Sequence, residues 1–204
     1  MLVLASASPR RSQLLRQAGF TFEVRPAHIP EDPRPGEDPI AYVTRLAREK
    51  AQVVFDQLTQ GNAMQAANPA PSALPLENLA VLGADTTVTL DGLILGKPED
   101  ERDAARILRM LSGRSHRVIT GVALLTHNSV EVAAEVTAVQ FLTLSDREIA
   151  AYIATGEPMD KAGAYAIQGV AARWIPRVAG CYFNVMGLPL ALVATMLEGR
   201  CITA

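Results

Sequence analysis

Hydrophobic and polar positions follow two different periods along this chain of 204 residues, one typical of strands and one typical of helices. Short apolar runs at 2–5 and 80–83 suit buried strands. Residues 116–126 and 131–143 predict two longer strands, because valine, leucine and threonine are frequent in both. Strands mixed with helices indicate an α/β fold with a mixed central sheet flanked by helices.

The stretch 40–56 is the clearest predicted helix. Its inner stripe, at spacings of three and four, holds Val43, Ala47, Lys50 and Val54. A buried lysine is rare unless it is paired, so Lys50 on this stripe suggests an anionic partner. The alternative is an apolar stem that lies along the protein while the ammonium reaches water.

Turn and capping residues mark the boundaries of other elements. Asp91 and Gly92 form a dipeptide typical of a tight hairpin turn between two strands. Ser145 and Glu148 have the spacing of a capping box, which predicts the start of a helix.

Residues 57–76 differ from the rest of the chain in composition. They contain no aspartate, glutamate, lysine or arginine, and alanine, asparagine, glutamine and proline recur. Such a segment is typical of a flexible surface loop. We therefore expect one domain over residues 1–204 with a loop insertion at 57–76.

Charge and composition exclude several classes of protein. A net charge of −2 argues against a stable complex with duplex nucleic acid, because such proteins usually carry a basic surplus. An aromatic content of 5% argues against single-strand binding, which needs stacking platforms. The two cysteines form no zinc pattern, and no apolar stretch approaches the roughly 20 residues of a membrane span. We expect a cytoplasmic protein.

The first candidate site is the junction between the strand at 2–5 and a helix that follows it. Ser8 suits the position before the helix, and a helix N-terminus offers free N–H groups to an anion. Ser6, Arg10 and Arg11 add a hydroxyl and two guanidinium groups that match phosphate oxygens. The segment predicts a phosphate site, or else a well-capped surface helix. It is not a Walker A loop.

Carboxylates near strand ends are the second candidate. Asp85 is expected at or just past the end of the strand at 80–83, where ligand sites of open α/β sheets lie. Glu31 lies in a proline-rich loop. Together they suit Mg²⁺, which binds one or two carboxylates and substrate oxygens. The alternatives are a turn residue at Asp85 and a solvated acid at Glu31. For His116 we favour a structural or phosphate-neighbouring role over a catalytic one.

Eight segments of the chain resemble the Maf family of nucleoside triphosphate pyrophosphatases, in the family's order and along nearly the whole length. They are LASASPRR at 4–11, the glutamate of IPED, LAREKA at 46–51, GADTTV at 83–88, GKP at 96–98, LSGRSHRVITGV at 111–122, EPMDKAGAYAIQG at 157–169 and NVMGLPL at 184–190.

The resemblance implies two lobes around a cleft, similar to the inosine triphosphate pyrophosphatases, and a divalent cation, Mg²⁺ or Mn²⁺. It also implies that Asp85 is the general base, that Lys50 and Lys97 bind phosphate, and that Glu31 binds the metal. With the residues already considered, the expected metal ligands are Glu31 and Asp85, and the expected substrate-binding set is Ser8, Arg10, Arg11, Lys50, Thr86, Lys97 and Gln168.

Two positions indicate the branch of the family. Arg10 within SPRR and Gln168 within IQG resemble the branch that acts on dTTP and UTP. The branch that acts on 7-methyl-GTP tends to have tryptophan and glutamate at these positions. The chain departs from the family in the longer segment 57–76, and Pro30 stands where an acid is frequent, which leaves one fewer candidate metal ligand.

The expected activity is hydrolysis of a nucleoside triphosphate, most of all dTTP and UTP, to the monophosphate and pyrophosphate. Such an activity would limit non-standard nucleotides, and the resemblance also suggests a link to cell-division arrest. The expected partner is the nucleotide, with no membrane contact and with a homodimer left open. The alternatives are a 7-methyl-GTP pyrophosphatase and a nucleotide-binding regulator of cell division without catalysis, which would not need the Asp85 carboxylate.

Overall fold

The computed structural model describes residues 1–65, 79–200 and 202, with the backbone alone at 61–65. Its strands are β1 Leu2–Leu4, β2 Glu23–Val24, β3 Ala80–Leu90, β4 Leu93–Leu95, β5 Ser115–Thr126, β6 Ser129–Gln140 and β7 Arg177–Ala179. Its α-helices are α1 Pro9–Gln17, α2 Pro39–Gln65, α3 Glu101–Leu111, α4 Asp146–Ile153, α5 Tyr182–Val185 and α6 Leu190–Glu198. Short 3₁₀ helices lie at Glu157–Asp160, Ala162–Ala164 and Val170–Trp174.

The strands form one mixed sheet in the order β2-β1-β3-β5-β6-β7, and β4 pairs with β3 alone. Strand β1 runs parallel to β2 and β3, whereas the remaining pairs are antiparallel. The predicted α/β fold with a mixed sheet and flanking helices is confirmed. Among the described residues, no helix combines the length and apolarity that a membrane crossing requires.

The central strand β3 is longer than the sequence predicts. Asp85, Thr86 and Thr87 are expected at or just past the end of a strand at 80–83, yet β3 continues to Leu90. This expectation is wrong because β5 pairs with β3 from Ala80 to Thr89. The pairing keeps the strand continuous past Asp85, although aspartate is infrequent in strands. Asp85 therefore lies in the interior of the sheet.

Helix α2 covers one face of the sheet at very short range. Its buried Val43, Ala47 and Ala51 pack over the central strands. A Cβ atom at Gly83 would collide with the carbonyl oxygen of Ala47, and one at Gly121 would collide with that of Val43. The two glycines thus let the helix backbone lie directly on β3 and β5.

The opposite face of the sheet packs against α1, α3, α4 and α6. The large cluster on this side joins residues of all four helices to alternate residues of the central strands, among them Leu14, Ile107, Ile149 and Val193. Residues of α5 join the same cluster, so the central strands β3 and β5 are buried on both faces. Asp85 points toward α2, on the same face as Gly83.

Local sequence signals have mixed outcomes. The hairpin turn is confirmed, with Asp91 and Gly92 at φ 51° and 82°, and so is the capping box of Ser145 and Glu148. The helix predicted at 40–56 continues to Gln65, so residues 57–65 are helical rather than part of a loop. The rest of the predicted loop, 66–76, lies outside the described residues.

Candidate active site

A buried lysine joins two carboxylates where α2 crosses β3. The Nζ atom of Lys50 lies 2.7 Å from Oδ1 of Asp85 and 2.5 Å from Oε1 of Glu31. Lys50 and Asp85 are each 7% exposed, whereas the side chain of Glu31 is 47% exposed. The sequence prediction of an anionic partner for Lys50 is confirmed. The group is closed on the side of the sheet and open on the side of Glu31.

The loop that carries Glu31 is attached to α2 by several hydrogen bonds. The Tyr42 hydroxyl donates to the backbone carbonyl of Glu31 at 2.7 Å. Arg45 donates to both carboxylate oxygens of Glu37, at 2.6 and 2.7 Å, and to the carbonyl of Asp32. These contacts hold the loop against α2, next to Lys50. Sequence reasoning missed Tyr42 and Arg45, although both fall one turn apart on α2 and face the loop.

Electrostatics favour a charged Glu31. Burial alone would raise its pKa, but the hydrogen bond from Lys50 and the charges of Lys50, Lys97 and Arg11 hold the pKa below its ordinary value. Burial and the charges of Asp85 and Glu31 raise the pKa of Tyr42 to about 12, so the hydroxyl remains a donor at neutral pH. Lys97 and Arg11 thus act on the same carboxylate as Lys50.

Arg11 is held by protein acceptors from three parts of the chain. Its Nε donates to the carbonyl of Gly187, Nη1 donates to Ser6 Oγ and the carbonyl of Ala84, and Nη2 donates to Thr86 Oγ1. Four of its five N–H groups are therefore used within the protein. Burial lowers the pKa of Arg11, and the charges of Asp85 and Glu31 oppose this effect. Hydrogen bonds from the Arg11 guanidinium therefore link α1 to β3.

Thr86 belongs to a buried polar chain below Arg11. Its hydroxyl lies 2.9 Å from that of Thr120, which donates to the carbonyl of Asn184. The Asn184 amide donates in turn to Val118 and Thr137. Sequence reasoning singled out neither Thr120 nor Asn184. The available sequence signal was a single asparagine in the otherwise apolar segment NVMGLPL.

The two remaining residues of the α1 junction keep their polar groups available. Ser8 precedes α1 in the N-cap position, but its side chain makes no capping hydrogen bond. Arg10 is partly exposed. Burial would raise the pKa of Asp160, but the hydrogen bond and charge of Lys161, together with the charge of Arg10, hold this pKa below its ordinary value. Neither the Ser8 hydroxyl nor the Arg10 guanidinium has a hydrogen-bond partner among the described residues, and both groups suit an anion at the helix N-terminus.

Lys97 and Gln168 lie on two further segments of the chain, one after β4 and one after the 3₁₀ helix Ala162–Ala164. Lys97 is exposed two residues after β4, and its neighbour Gly96 accepts a hydrogen bond from Gly163 N at 3.0 Å. Gln168 is exposed and has no hydrogen-bond partner in the described part of the chain. Both side chains are free to contact a ligand.

His116 lies in the core rather than at the site. Its Nε2 is 2.8 Å from the hydroxyl of Tyr165, and its ring makes edge contacts with Tyr165 and Phe141. Burial lowers the pKa of His116 to about 4, so the ring is neutral at physiological pH. This geometry agrees with a structural role.

Glu31 and Asp85 are the candidate ligands for a divalent cation. In the described ranges, no three His, Cys, Asp or Glu residues form a group that could hold a metal. Glu31 and Asp85 nevertheless supply hard oxygen donors that contact one shared ammonium. Mg²⁺ commonly takes one or two carboxylates and completes its shell with water and substrate phosphates. The donors present fit a cation of that kind.

Together, the fold and the site define an α/β protein in which two carboxylates, several cations and a helix N-terminus converge. This set of groups suits a ligand that carries phosphate. The family model described as Maf-like protein matches residues 1–200. The chain belongs to the Maf family.

Curated relatives resemble the chain over nearly its full length. A protein of Koribacter versatilis is 52% identical over 97% of this chain and 93% of its own. One of Geobacter sulfurreducens is 50% identical over 97% and 95% of the two chains. One of Bacillus pumilus is 43% identical over 97% and 95%. Each of these three is named dTTP/UTP pyrophosphatase.

Proposed function

We propose that this chain hydrolyses nucleoside triphosphates, with dTTP and UTP preferred, to the nucleoside monophosphate and pyrophosphate. The activity named for relatives at 43–52% identity supports the proposal. The structural observation that carries it is the ammonium of Lys50 held between Glu31 and the buried Asp85. A buried cation between two acids is a costly arrangement, and such arrangements concentrate at functional sites.

In the proposed reaction, the oxygen of a water molecule attacks the α-phosphorus. The bond from this phosphorus to the bridging oxygen breaks, and pyrophosphate leaves. Asp85 accepts the proton of the water through the carboxylate oxygen that Lys50 does not contact. Phosphoryl transfer leaves little covalent work for a protein, so positioning and charge neutralisation account for most of the catalysis.

The cationic side chains have different proposed tasks. Lys50, Lys97 and Arg10 neutralise the triphosphate, and the hydroxyl of Ser8 donates to it beside the N-terminus of α1. Arg11 offers one free N–H to the ligand, while its other four bonds fix the α1 junction against β3. Thr86 acts indirectly: its hydroxyl accepts a hydrogen bond from Arg11 and so helps to position that guanidinium.

A divalent cation held by Glu31 and Asp85 would supply further neutralisation of the triphosphate and lower the pKa of a nearby water. Gln168 is the proposed reader of the nucleobase. Its amide offers an acceptor and two donors, which match the carbonyl and N3–H edge of uracil or thymine. A glutamate at this position would instead suit the donors of a guanine, as in the 7-methyl-GTP branch.

The test is a pyrophosphate-release assay over dTTP, UTP, GTP and 7-methyl-GTP, with and without Mn²⁺. We expect release from dTTP and UTP with a cation present, and kcat/KM at least about tenfold lower for the two guanine nucleotides. Preference for 7-methyl-GTP would overturn the substrate assignment. Nucleotide binding without pyrophosphate release from any of the four would favour the non-enzymatic regulator instead.

The variant Gln168→Glu tests the nucleobase reader. We expect it to lower kcat/KM for dTTP and UTP by about tenfold or more while leaving 7-methyl-GTP unaffected or improved. An equal decrease for all nucleotides would show that Gln168 does not select the base.

A further inference from the structure

Gln168 is the middle residue of a five-residue turn, Ala166–Val170. Side chains from outside the turn form hydrogen bonds with both of its ends. The turn is closed by a hydrogen bond from Gly169 N to the carbonyl of Ala166 at 3.1 Å. Ile167 is buried on one side of Gln168, whereas Gln168 itself is exposed. The direction in which Gln168 points therefore depends on how the turn is fixed.

Two side chains from outside the turn hold its ends. The Tyr152 hydroxyl accepts a hydrogen bond from Ala166 N at 3.1 Å and donates to Glu157 Oε1 at 2.7 Å. The other oxygen of that carboxylate, Oε2, accepts from Val170 N at 3.4 Å. The Tyr152–Glu157 pair thus spans the turn and contacts its first and last residues.

Gly169 shows how closely the carboxylate approaches the turn. A Cβ atom at this position would overlap both oxygens of Glu157. Since its φ is −100°, the glycine is not required by the backbone conformation. A side chain here would instead displace the Glu157 carboxylate from its place beside the turn.

Tyr152 is itself held rigidly. It lies on α4, is 1% exposed and packs edge-on against Trp174 with ring centroids 5.2 Å apart. The Trp174 ring nitrogen lies 3.3 Å from Glu148 Oε1, at the start of the same helix. The pair therefore connects the turn to a rigid element of the fold rather than to another loop.

We propose that Glu157 and Tyr152 are positioning residues for nucleobase selection, which fix the Ala166–Val170 turn so that Gln168 presents its amide to the base. The inference rests on the proposed function, because it assigns a supporting pair to the proposed reader. It adds a specificity determinant that does not contact the phosphates or Asp85.

The test compares Glu157→Gln and Tyr152→Phe with the wild type. Both variants nearly keep the size of the side chain. Tyr152→Phe removes the hydrogen bonds to Ala166 and Glu157, and Glu157→Gln replaces one of the two acceptor oxygens by a donor. We expect KM for dTTP and UTP to rise about tenfold with kcat changed less than about threefold. The inhibition constant of inorganic triphosphate, which carries no base, is expected to stay within about twofold of wild type. A matching shift in that constant would overturn the inference in favour of a general structural role.

A double-mutant cycle separates positioning from stability. In a Gln168→Ala background, Glu157→Gln is expected to leave KM for dTTP unchanged, because its effect acts through the absent amide. A further tenfold rise in this background would overturn the inference. Glu148→Gln, on the same helix and bonded to Trp174, is the control and is expected to lower the melting temperature without changing the preference among nucleotides.

Hydrogen exchange gives a readout that needs no activity. We expect the amides of Ala166 and Val170 to exchange at least about fivefold faster in Glu157→Gln and Tyr152→Phe than in wild type, since each loses an acceptor or its support. Unchanged exchange would overturn the inference. The proposed function is judged separately, by pyrophosphate release from the wild-type enzyme, so the two failures are distinguishable.

Discussion

Lys50 and Asp85, 35 positions apart in the chain, are joined by a hydrogen bond of 2.7 Å inside the interface between α2 and β3. Lys50 comes from the apolar stripe of the helix, and Asp85 comes from the middle of a strand that is buried along nearly its whole length. Each therefore occupies a position that normally holds an apolar residue. Their pairing makes two charged residues tolerable at these buried positions, because each charge is compensated where water is scarce.

Asp85→Asn is expected to lower turnover at least about 10²-fold while the fold remains intact, because the change is nearly isosteric and removes the proposed base. Pyrophosphate release under single-turnover conditions measures the effect, and circular dichroism checks the fold. The control is Asp91→Asn, an exposed residue of the β3–β4 turn where asparagine suits the positive φ. Near-normal turnover in folded Asp85→Asn would remove Asp85 from the mechanism.

Lys50→Met is expected to destabilise the protein by about 3 kcal/mol, because it leaves the buried Asp85 without its counter-ion. Urea unfolding measures the change. We also expect Mn²⁺ to raise the melting temperature of this variant more than that of wild type, since the oxygens of Glu31 and Asp85 no longer share an ammonium. Equal melting temperatures with and without Mn²⁺ in both proteins would argue against a cation at these carboxylates.

Gly83→Ala is expected to destabilise the protein by about 3 kcal/mol, because its Cβ would meet the backbone of α2 at Ala47. The matched control is Gly96→Ala, whose Cβ would have no heavy atom within 4 Å. It should change the free energy of unfolding by less than about 0.5 kcal/mol. Similar unfolding midpoints for the two variants would contradict the close approach of α2 to β3.

The buried His116 is expected to make stability depend on pH. Its pKa in the folded protein is about 4, below the ordinary value of about 6.5, so only the unfolded chain takes up the proton between these values. Stability contributed by the neutral ring is complete above pH 6.5 and decreases as the pH falls toward 4, by at most about 3 kcal/mol.

Urea unfolding of wild type, His116→Gln and His127→Gln at pH 5 to 7 measures this contribution. We expect a smaller loss of stability with acid in His116→Gln than in wild type. His127 is exposed in the β5–β6 turn, so its variant should behave as wild type. The same pH dependence in all three proteins would exclude His116 as the titrating group.

Local patterns of residues were sufficient for the fold class, the β3–β4 turn, the capping box of α4 and the burial of Lys50. Each of these depends on neighbours within a few positions, such as an Asp-Gly dipeptide or a stripe repeated every three or four residues. The family resemblance depended on short motifs as well, and the comparison over residues 1–200 confirms it.

Contacts between distant segments decided the rest. Asp85 lies within β3 because β5 pairs along the strand, and no local preference of aspartate indicates this. The use of four Arg11 N–H groups depends on carbonyls and hydroxyls from Ser6, β3 and Gly187. The Tyr152–Glu157 pair reaches both ends of the Gln168 turn only because α4 packs beneath it. Hydrogen-bond partners are set by positions in space, and these follow from how the helices pack on the sheet.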